Sequence, residues 1–126
     1  MVAFAFSLVI VLFSCLMISS RAITVTPSVA CNTEKFGKED PFRVELHRVL
    51  ADLVRLTPMS NSLKHHSSGS YSVFGFAQCS KLYIRDVCKS CLEGAVHIIH
   101  THCGRTIGAQ VEMDDVCFIR YENHKF

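Results

Sequence analysis

The cysteines constrain this chain more than any other feature, because six of its seven lie beyond an apolar leader. These six are Cys31, Cys79, Cys88, Cys91, Cys103 and Cys117. The central run has the spacing C-x8-C-x2-C. An even number of cysteines in a short chain behind a leader is typical of a secreted disulfide framework. We therefore predict three disulfides rather than thiol chemistry, although the spacing alone leaves the pairing open.

The leader is the almost wholly apolar segment Val2–Ile18. Small and polar residues follow it, and Ser20-x-Ala22 matches the cleavage rule of secretory signal peptides. We predict a signal peptide over residues 1–22, which is cleaved after Ala22 and removes Cys15. A membrane anchor is the alternative, because the segment reaches the lower length limit of a membrane-spanning helix and has no basic side chain ahead of it.

Residues 23–126 are predicted to form a single domain. The formal net charge of +2 includes Arg21, so the mature chain carries about +1. Such a small net charge argues against binding to nucleic acid through phosphates and against charge-driven lysis of anionic membranes. We predict a secreted, monomeric protein with no membrane span in its mature form.

The pattern of apolar and polar residues predicts two helices. Asp40-Pro41 supplies a capping carboxylate and a proline at the first helical position, and Thr57-Pro58 ends that helix. Between them, leucine and valine recur at helical spacing. A second helix is predicted from Ile84 or Asp86 to about His100, with Asp86 as its cap.

The remaining segments predict strands and a loop. Ser60–Ser70 is polar and small, and is interpreted as an exposed loop. Strands are predicted at Tyr71–Ala77, Thr106–Met113 and Val116–Glu122, with a turn between the last two. The order of elements indicates an α+β fold with an antiparallel sheet.

The last strand has two distinct faces. Its inward face is predicted to carry Cys117, Ile119 and Tyr121, because the cysteine must reach a partner in the core. Phe118, Arg120 and Glu122 then share the opposite, more accessible face.

No pattern in the sequence indicates catalysis or a metal. The motifs G-x-S-x-G and H-E-x-x-H and a phosphate-binding glycine loop are absent, and a turn explains Asp114-Asp115 better than an acid pair does. The alternative to disulfides at Cys88 and Cys91 is a zinc site that these cysteines form with nearby histidines. His97 and His102 lie about 140° apart around a helix, and an oxidising compartment favours disulfides. We predict no enzyme, no metal and no cofactor.

Four segments carry a family resemblance: CNTEKF from Cys31, the helix start Pro41-Phe42, the C-x8-C-x2-C run, and the ending CFIRYENHKF from Cys117. Together they resemble the ginkbilobin-type secreted antifungal proteins of seed plants, whose module is also called the stress-antifungal or cysteine-rich repeat domain. The resemblance implies two helices packed on a five-stranded antiparallel sheet. It also implies the disulfides Cys31–Cys103, Cys79–Cys88 and Cys91–Cys117.

The resemblance further implies a mannose site. Family members use an asparagine beside the first mature cysteine, an arginine in a G-A-R-V strand and the glutamate of a final Y-E. The matching positions here are Asn32, Gln110 and Glu122. Planar amide and carboxylate groups suit neighbouring sugar hydroxyls, which both donate and accept hydrogen bonds. The implied protein is an antifungal defence protein of the plant apoplast that binds mannose or mannan of the fungal cell wall.

The site departs from the family pattern at Gln110, where the relatives carry arginine. Loss of one charge-assisted hydrogen bond costs about 1–2 kcal/mol, or roughly five- to thirtyfold in affinity. The segment from Gln110 to Cys117 is also one residue longer than in the relatives. Unless a bulge or a longer turn accommodates the extra residue, it would shift the strand register by one and reverse the strand faces. Arg120 could supply the missing cation, or could form an ordinary ion pair with Glu122.

A second function therefore stays open from the sequence. The scaffold could serve as an apoplastic protein-interaction or protease-inhibitory module that has lost sugar binding. Gln110 favours this alternative, whereas Asn32 and Glu122 favour the lectin. Each of the latter also has a purely structural interpretation, since Asn32 could stabilise a turn and Glu122 could be a solvated strand-end charge.

Overall fold

The computed structural model describes residues 26–126, so the predicted signal peptide and Cys15 lie outside the described residues. Seven main elements follow one another: β1 (Pro27–Cys31), α1 (Phe42–Leu56), β2 (Lys64–Gly69), β3 (Val73–Cys79), α2 (Arg85–Ile98), β4 (Ala109–Met113) and β5 (Cys117–Glu122). A short 3-10 turn, Thr57–Met59, follows α1, and a π-helical turn, Ile99–Cys103, continues α2.

The five strands form one antiparallel sheet in the order β1-β4-β5-β3-β2. Both helices pack against the same face of this sheet and enclose the core with it. The opposite face, which points away from the helices, is called the open face below. The predicted α+β fold with two helices and five antiparallel strands is therefore confirmed.

Helix α1 forms as the sequence pattern predicts. The Asp40 carboxylate accepts a hydrogen bond from the backbone N–H of Phe42 at 2.9 Å, which satisfies a free donor of the first turn. The buried face consists of Phe42, Leu46, Val49, Leu50 and Leu53. The helix ends at Leu56, immediately before Thr57-Pro58.

Gly75 allows α1 to lie close to the sheet. A β-carbon at this position would come within 2.6 Å of Val49 Cγ1 and 2.9 Å of Leu53 Cδ1. Only a residue without a side chain fits there while the helix keeps its place.

The prediction of a loop over Ser60–Ser70 is wrong, because Lys64–Gly69 forms strand β2. This strand lies at the edge of the sheet and pairs only with β3 among residues 26–126. An edge strand is stabilised by backbone pairing and needs few apolar side chains, so its polar composition concealed it. The chain then reverses through Ser70, Tyr71 and Ser72, and β3 begins at Val73 rather than at the predicted Tyr71.

Helix α2 begins one residue after Ile84 and differs from the prediction in its cap. Ile84 occupies the capping position without a side-chain hydrogen bond, and Asp86 lies inside the first turn. The prediction that Asp86 caps the helix is therefore wrong. The carboxylate still lies at the positive end of the helix dipole, where a negative charge is favourable. Packing of Cys88, Leu92 and Ala95 against the sheet holds the helix in place.

The three disulfides are those that the family resemblance implies. Cys79–Cys88 joins β3 to α2, Cys91–Cys117 joins α2 to β5, and Cys31–Cys103 joins β1 to the π-helical turn. Within residues 26–126, no group of three or more His, Cys, Asp and Glu side chains is placed to hold a metal ion. Over the same residues, none of the helices has the length and apolar character needed to cross a membrane.

Candidate functional site

The register of β4 and β5 places Gln110 on the open face. Gln110 pairs directly with Arg120 on β5 and with Ala30 on β1. A three-residue turn, Asp114–Val116, closes the hairpin, and Asp114 has a positive φ of 46°. The register thus keeps Gln110 on the same face as Arg120 and Glu122, and no reversal of strand faces occurs.

The inward and outward faces of β5 agree with the prediction. Cys117, Ile119 and Tyr121 are buried, whereas Phe118, Arg120 and Glu122 are partly exposed on the open face. This alternation is the period of two that a half-covered strand imposes.

The three predicted site residues meet at one surface depression of about 170 Å³. Its lining consists of Ala30, Cys31, Asn32, Gly108, Ala109, Gln110 and Glu122. Asn32 follows the end of β1, Gln110 lies in β4, and Glu122 ends β5. Among the described residues that line it, the polar side chains are two amides and one carboxylate. This set can both donate and accept hydrogen bonds.

Asn32 is held in place through both its backbone and its side chain. Its backbone N–H donates to the Gly108 carbonyl at 2.8 Å, which continues the pairing of β1 with the chain ahead of β4. Its side-chain oxygen Oδ1 accepts from the backbone N–H of Glu34 at 2.9 Å. Asn32 therefore stabilises a turn, and its Nδ2 group is the donor that it offers to a ligand.

Glu122 is not a solvated strand-end charge. Its side chain is 14% exposed, and Oε1 lies 3.2 Å from Arg120 Nε. The carboxylate lies over Gly108, in the volume that a β-carbon would occupy. One oxygen is therefore held by Arg120, and the group as a whole faces the depression.

Arg120 forms the ion pair that the simpler interpretation predicts, and it also lies next to Gln110 across the strand pair. Its guanidinium carbon lies 4.2 Å from the centroid of the Phe126 ring, a cation–π arrangement. The cation is thus held between a carboxylate and an aromatic ring, one position away from the predicted site.

A buried hydrogen-bond chain fixes the floor of the depression. The Tyr121 hydroxyl donates to the Thr106 carbonyl at 2.7 Å, and the Thr106 hydroxyl donates to the Gly108 carbonyl at 3.1 Å. Burial raises the pKa of Tyr121 above its usual 10.0, so the hydroxyl keeps its proton and its role as donor. The position of Gly108 is therefore held by hydrogen bonds from Asn32 and Thr106, and Thr106 is in turn held by Tyr121.

Sequence reasoning did not identify Gly108, Thr106 or Tyr121 as positioning residues. Gly108 lies inside the predicted strand Thr106–Met113, and a glycine within a strand can indicate close approach of another group. Nothing in the sequence shows that the approaching group is the carboxylate of Glu122, because the contact joins segments fourteen residues apart along the chain.

The fold and the site define a class: small disulfide-linked α+β domains that present polar side chains on the open face of a sheet. The model of the family described as salt stress response/antifungal matches residues 30–124. The chain therefore belongs to this family.

Several curated relatives are similar over most of the chain. Antifungal protein ginkbilobin-2 of Ginkgo biloba is 35% identical over 115 residues, which cover 88% of this chain and 85% of that protein. Antifungal protein ginkbilobin-like protein 1 of Picea glauca is 37% identical over 103 residues, covering 79% and 72% respectively. A ginkbilobin-like antifungal protein of Picea abies is also 37% identical, covering 79% of this chain and 94% of its own length.

Two solved structures share the fold. The tandem DUF26 ectodomains of the Arabidopsis thaliana cysteine-rich receptor-like proteins PDLP5 and PDLP8 superpose with TM-scores of 0.69 and 0.72, at 23% and 24% identity. Each match covers 79% of this chain. The chain spans about half the length of these ectodomains, 50% and 48%.

Proposed function

We propose that this protein is a secreted plant defence protein that acts against fungi by binding mannose-containing glycans of their cell walls. The observation that carries the proposal is the meeting of Asn32, Gln110 and Glu122 around one depression. The three residues come from three separate segments of the chain. Relatives that are 35–37% identical are named as antifungal proteins, which supports the antifungal part of the proposal.

The chemistry of the depression suits a sugar hydroxyl pair. Glu122 accepts, the Asn32 amide nitrogen donates, and Gln110 can do both. A depression of about 170 Å³ matches one small ring rather than a protein surface. The proposed action is binding alone, without covalent chemistry, and affinity for a single sugar is expected to be weak. Dense mannan would compensate through avidity.

Calorimetric titration of the oxidised mature protein with mannose tests the proposal. Glu122→Gln keeps the shape of the side chain but removes its charge, so we expect a loss of about fivefold to thirtyfold in affinity. Gln110→Arg restores the family arginine and is expected to tighten binding. Glu93→Gln is the matched control, because Glu93 is exposed on α2, on the helical side of the sheet. Equal affinities for wild type, Glu122→Gln and Glu93→Gln would reject the site.

The alternative is a protein-interaction or protease-inhibitory module on the same scaffold. A specific observation favours it: Leu82 and Ile84 are 87% and 69% exposed in the segment between β3 and α2. Exposed apolar side chains next to each other are typical of protein contacts. Absence of mannose binding by both wild type and Gln110→Arg would favour this alternative over the lectin.

A further inference from the structure

The open face carries aromatic side chains that the mannose proposal does not use. Phe74 and Phe76 on β3 and Phe118 on β5 are partly exposed there, and Phe126 is 46% exposed after the end of β5. The His66 ring lies 4.6 Å from the ring of Phe76, centroid to centroid. Apolar rings gathered on a face that neither α1 nor α2 covers indicate a contact surface.

Three of these rings, those of His66, Phe74 and Phe126, line a second depression of about 280 Å³ on the β2–β3 side of the open face. Its lining consists of His66, Ser67, Ser68, Phe74, Gly75, Lys125 and Phe126. The surface combines ring faces with hydroxyl, imidazole and ammonium groups.

The strand register connects the two depressions. Glu122, which lines the first, is paired directly with Phe74, which lines the second. The neighbouring row crosses all five strands in the order Ala30, Gln110, Arg120, Phe76 and His66. Adjacent strands lie about 4.8 Å apart, so the row from β4 to β2 spans about 14 Å. This span is longer than a single hexose ring.

Arg120 contacts one residue of each depression. Arg120 pairs with Glu122 on one side and lies under the ring of Phe126 on the other. A ligand that extends from the first depression toward β2 therefore meets Phe126 next.

We propose that the second depression is a second sugar subsite, so that the protein binds a segment of a mannose oligomer rather than one terminal residue. This inference rests on the proposed function. The quadrupole of an aromatic ring makes its face electron-rich, and this face attracts the polarised C–H bonds on one side of a pyranose. Ser68 and Lys125 supply hydrogen-bonding groups for the hydroxyls at its rim.

The test is a calorimetric length series with mannose, a linear mannobiose and a linear mannotriose. Wild type is expected to bind the trisaccharide about threefold to tenfold more tightly than mannose, the gain that one ring contact supplies. Phe126→Ala and Phe126→Leu should lose this gain, which is measured for each variant as the ratio of its mannotriose affinity to its mannose affinity. Phe126→Tyr retains the ring and should retain the gain. Phe126 lies outside the strands, the nearest of which along the chain, β5, ends at Glu122, so Phe126 can be changed without disturbing a strand.

The outcomes separate the two proposals. Equal affinity of wild type for mannose and mannotriose, or an unchanged gain in Phe126→Ala, overturns the second subsite and leaves the first intact. Loss of mannose binding in Glu122→Gln, in the same series, identifies the first site independently. Failure of wild type to bind any of the three sugars overturns the proposed function, and the second subsite falls with it.

Discussion

The carboxylate of Glu122 lies directly over Gly108, where any other residue would place its β-carbon. A short chain of contacts holds this arrangement, since Gly108 also accepts hydrogen bonds from Asn32 and Thr106 through its carbonyl oxygen. The glycine thus serves as the floor of the depression. It brings the carboxylate on β5 close to the amide that follows β1.

Gly108→Ala should therefore remove most of the binding to mannose. The new methyl group displaces the Glu122 carboxylate, and we expect an affinity loss at least equal to that of Glu122→Gln, about fivefold to thirtyfold. Gly37→Ala is the control, because nothing lies within 4 Å of a β-carbon there. Calorimetric titration measures both variants, and equal affinities for the two would contradict the role of Gly108.

Arg120→Ala tests whether the cation next to Gln110 contributes to binding. Without Arg120, the Glu122 carboxylate loses the partner that holds one of its oxygens. A partly exposed ion pair of this kind is worth about 0.2–1 kcal/mol, so affinity should fall by roughly 1.4-fold to fivefold. Arg120→Lys keeps the charge, and its affinity should lie between those of wild type and Arg120→Ala. Unchanged affinity in Arg120→Ala would reduce the pair to an ordinary surface contact and exclude compensation for Gln110.

Two glycines are predicted to respond to alanine in opposite directions. At Gly75 the added methyl group collides with Val49 and Leu53, so the free energy of unfolding should fall by about 1–3 kcal/mol. At Gly94, inside α2, the nearest atom that a β-carbon would meet outside the helix backbone is Met113 Cε at 3.9 Å. Alanine is the better helix former and should raise stability there by about 0.5–1 kcal/mol. Denaturant unfolding of the two variants measures both effects, and a stable Gly75→Ala would contradict the close packing of α1.

His100 makes stability depend on pH. Burial, with smaller contributions from His47 and His97, lowers the pKa of His100 below its usual 6.5. The unfolded chain therefore binds this proton at a higher pH than the folded chain does. The contribution to stability is complete above pH 6.5 and is lost as the pH falls through the folded pKa. Thermal unfolding between about pH 7.5 and pH 5 should show a flatter dependence for His100→Gln than for wild type. An equal pH dependence of thermal unfolding in the two proteins would contradict the contribution of His100.

Sequence reasoning predicted much of the fold because strong local patterns agree with the tertiary contacts. The leucines and valines of α1 keep helical spacing, and the alternation along Cys117–Tyr121 shows which face is buried. Strand β2 was not predicted, because this edge strand is defined by its pairing with β3, and a polar composition does not reveal that pairing. The cap of α2 was misassigned because Asp86 fits a capping position as well as a place in the first turn.

The site was predictable in its members but not in its geometry. Asn32, Gln110 and Glu122 came from a family resemblance, and their common depression depends on strand register. With the turn Asp114–Val116, the hairpin keeps Gln110 on the same face as Arg120 and Glu122, an outcome that composition does not determine. The aromatic rings of the open face also required the pairing of β3 with β5 before their neighbours were known.

The disulfide Cys31–Cys103 connects the proposed binding activity to maturation of the chain. Cys31 is exposed and directly precedes Asn32, whereas Cys103 ends the π-helical turn that leads toward Gly108. This bond therefore fastens together the two chain segments that flank the depression. Before oxidation, nothing covalent holds those segments side by side, and the nascent polypeptide is expected to be an inactive precursor. The plant cell that synthesises the protein would then be shielded from the proposed sugar-binding activity until export is complete.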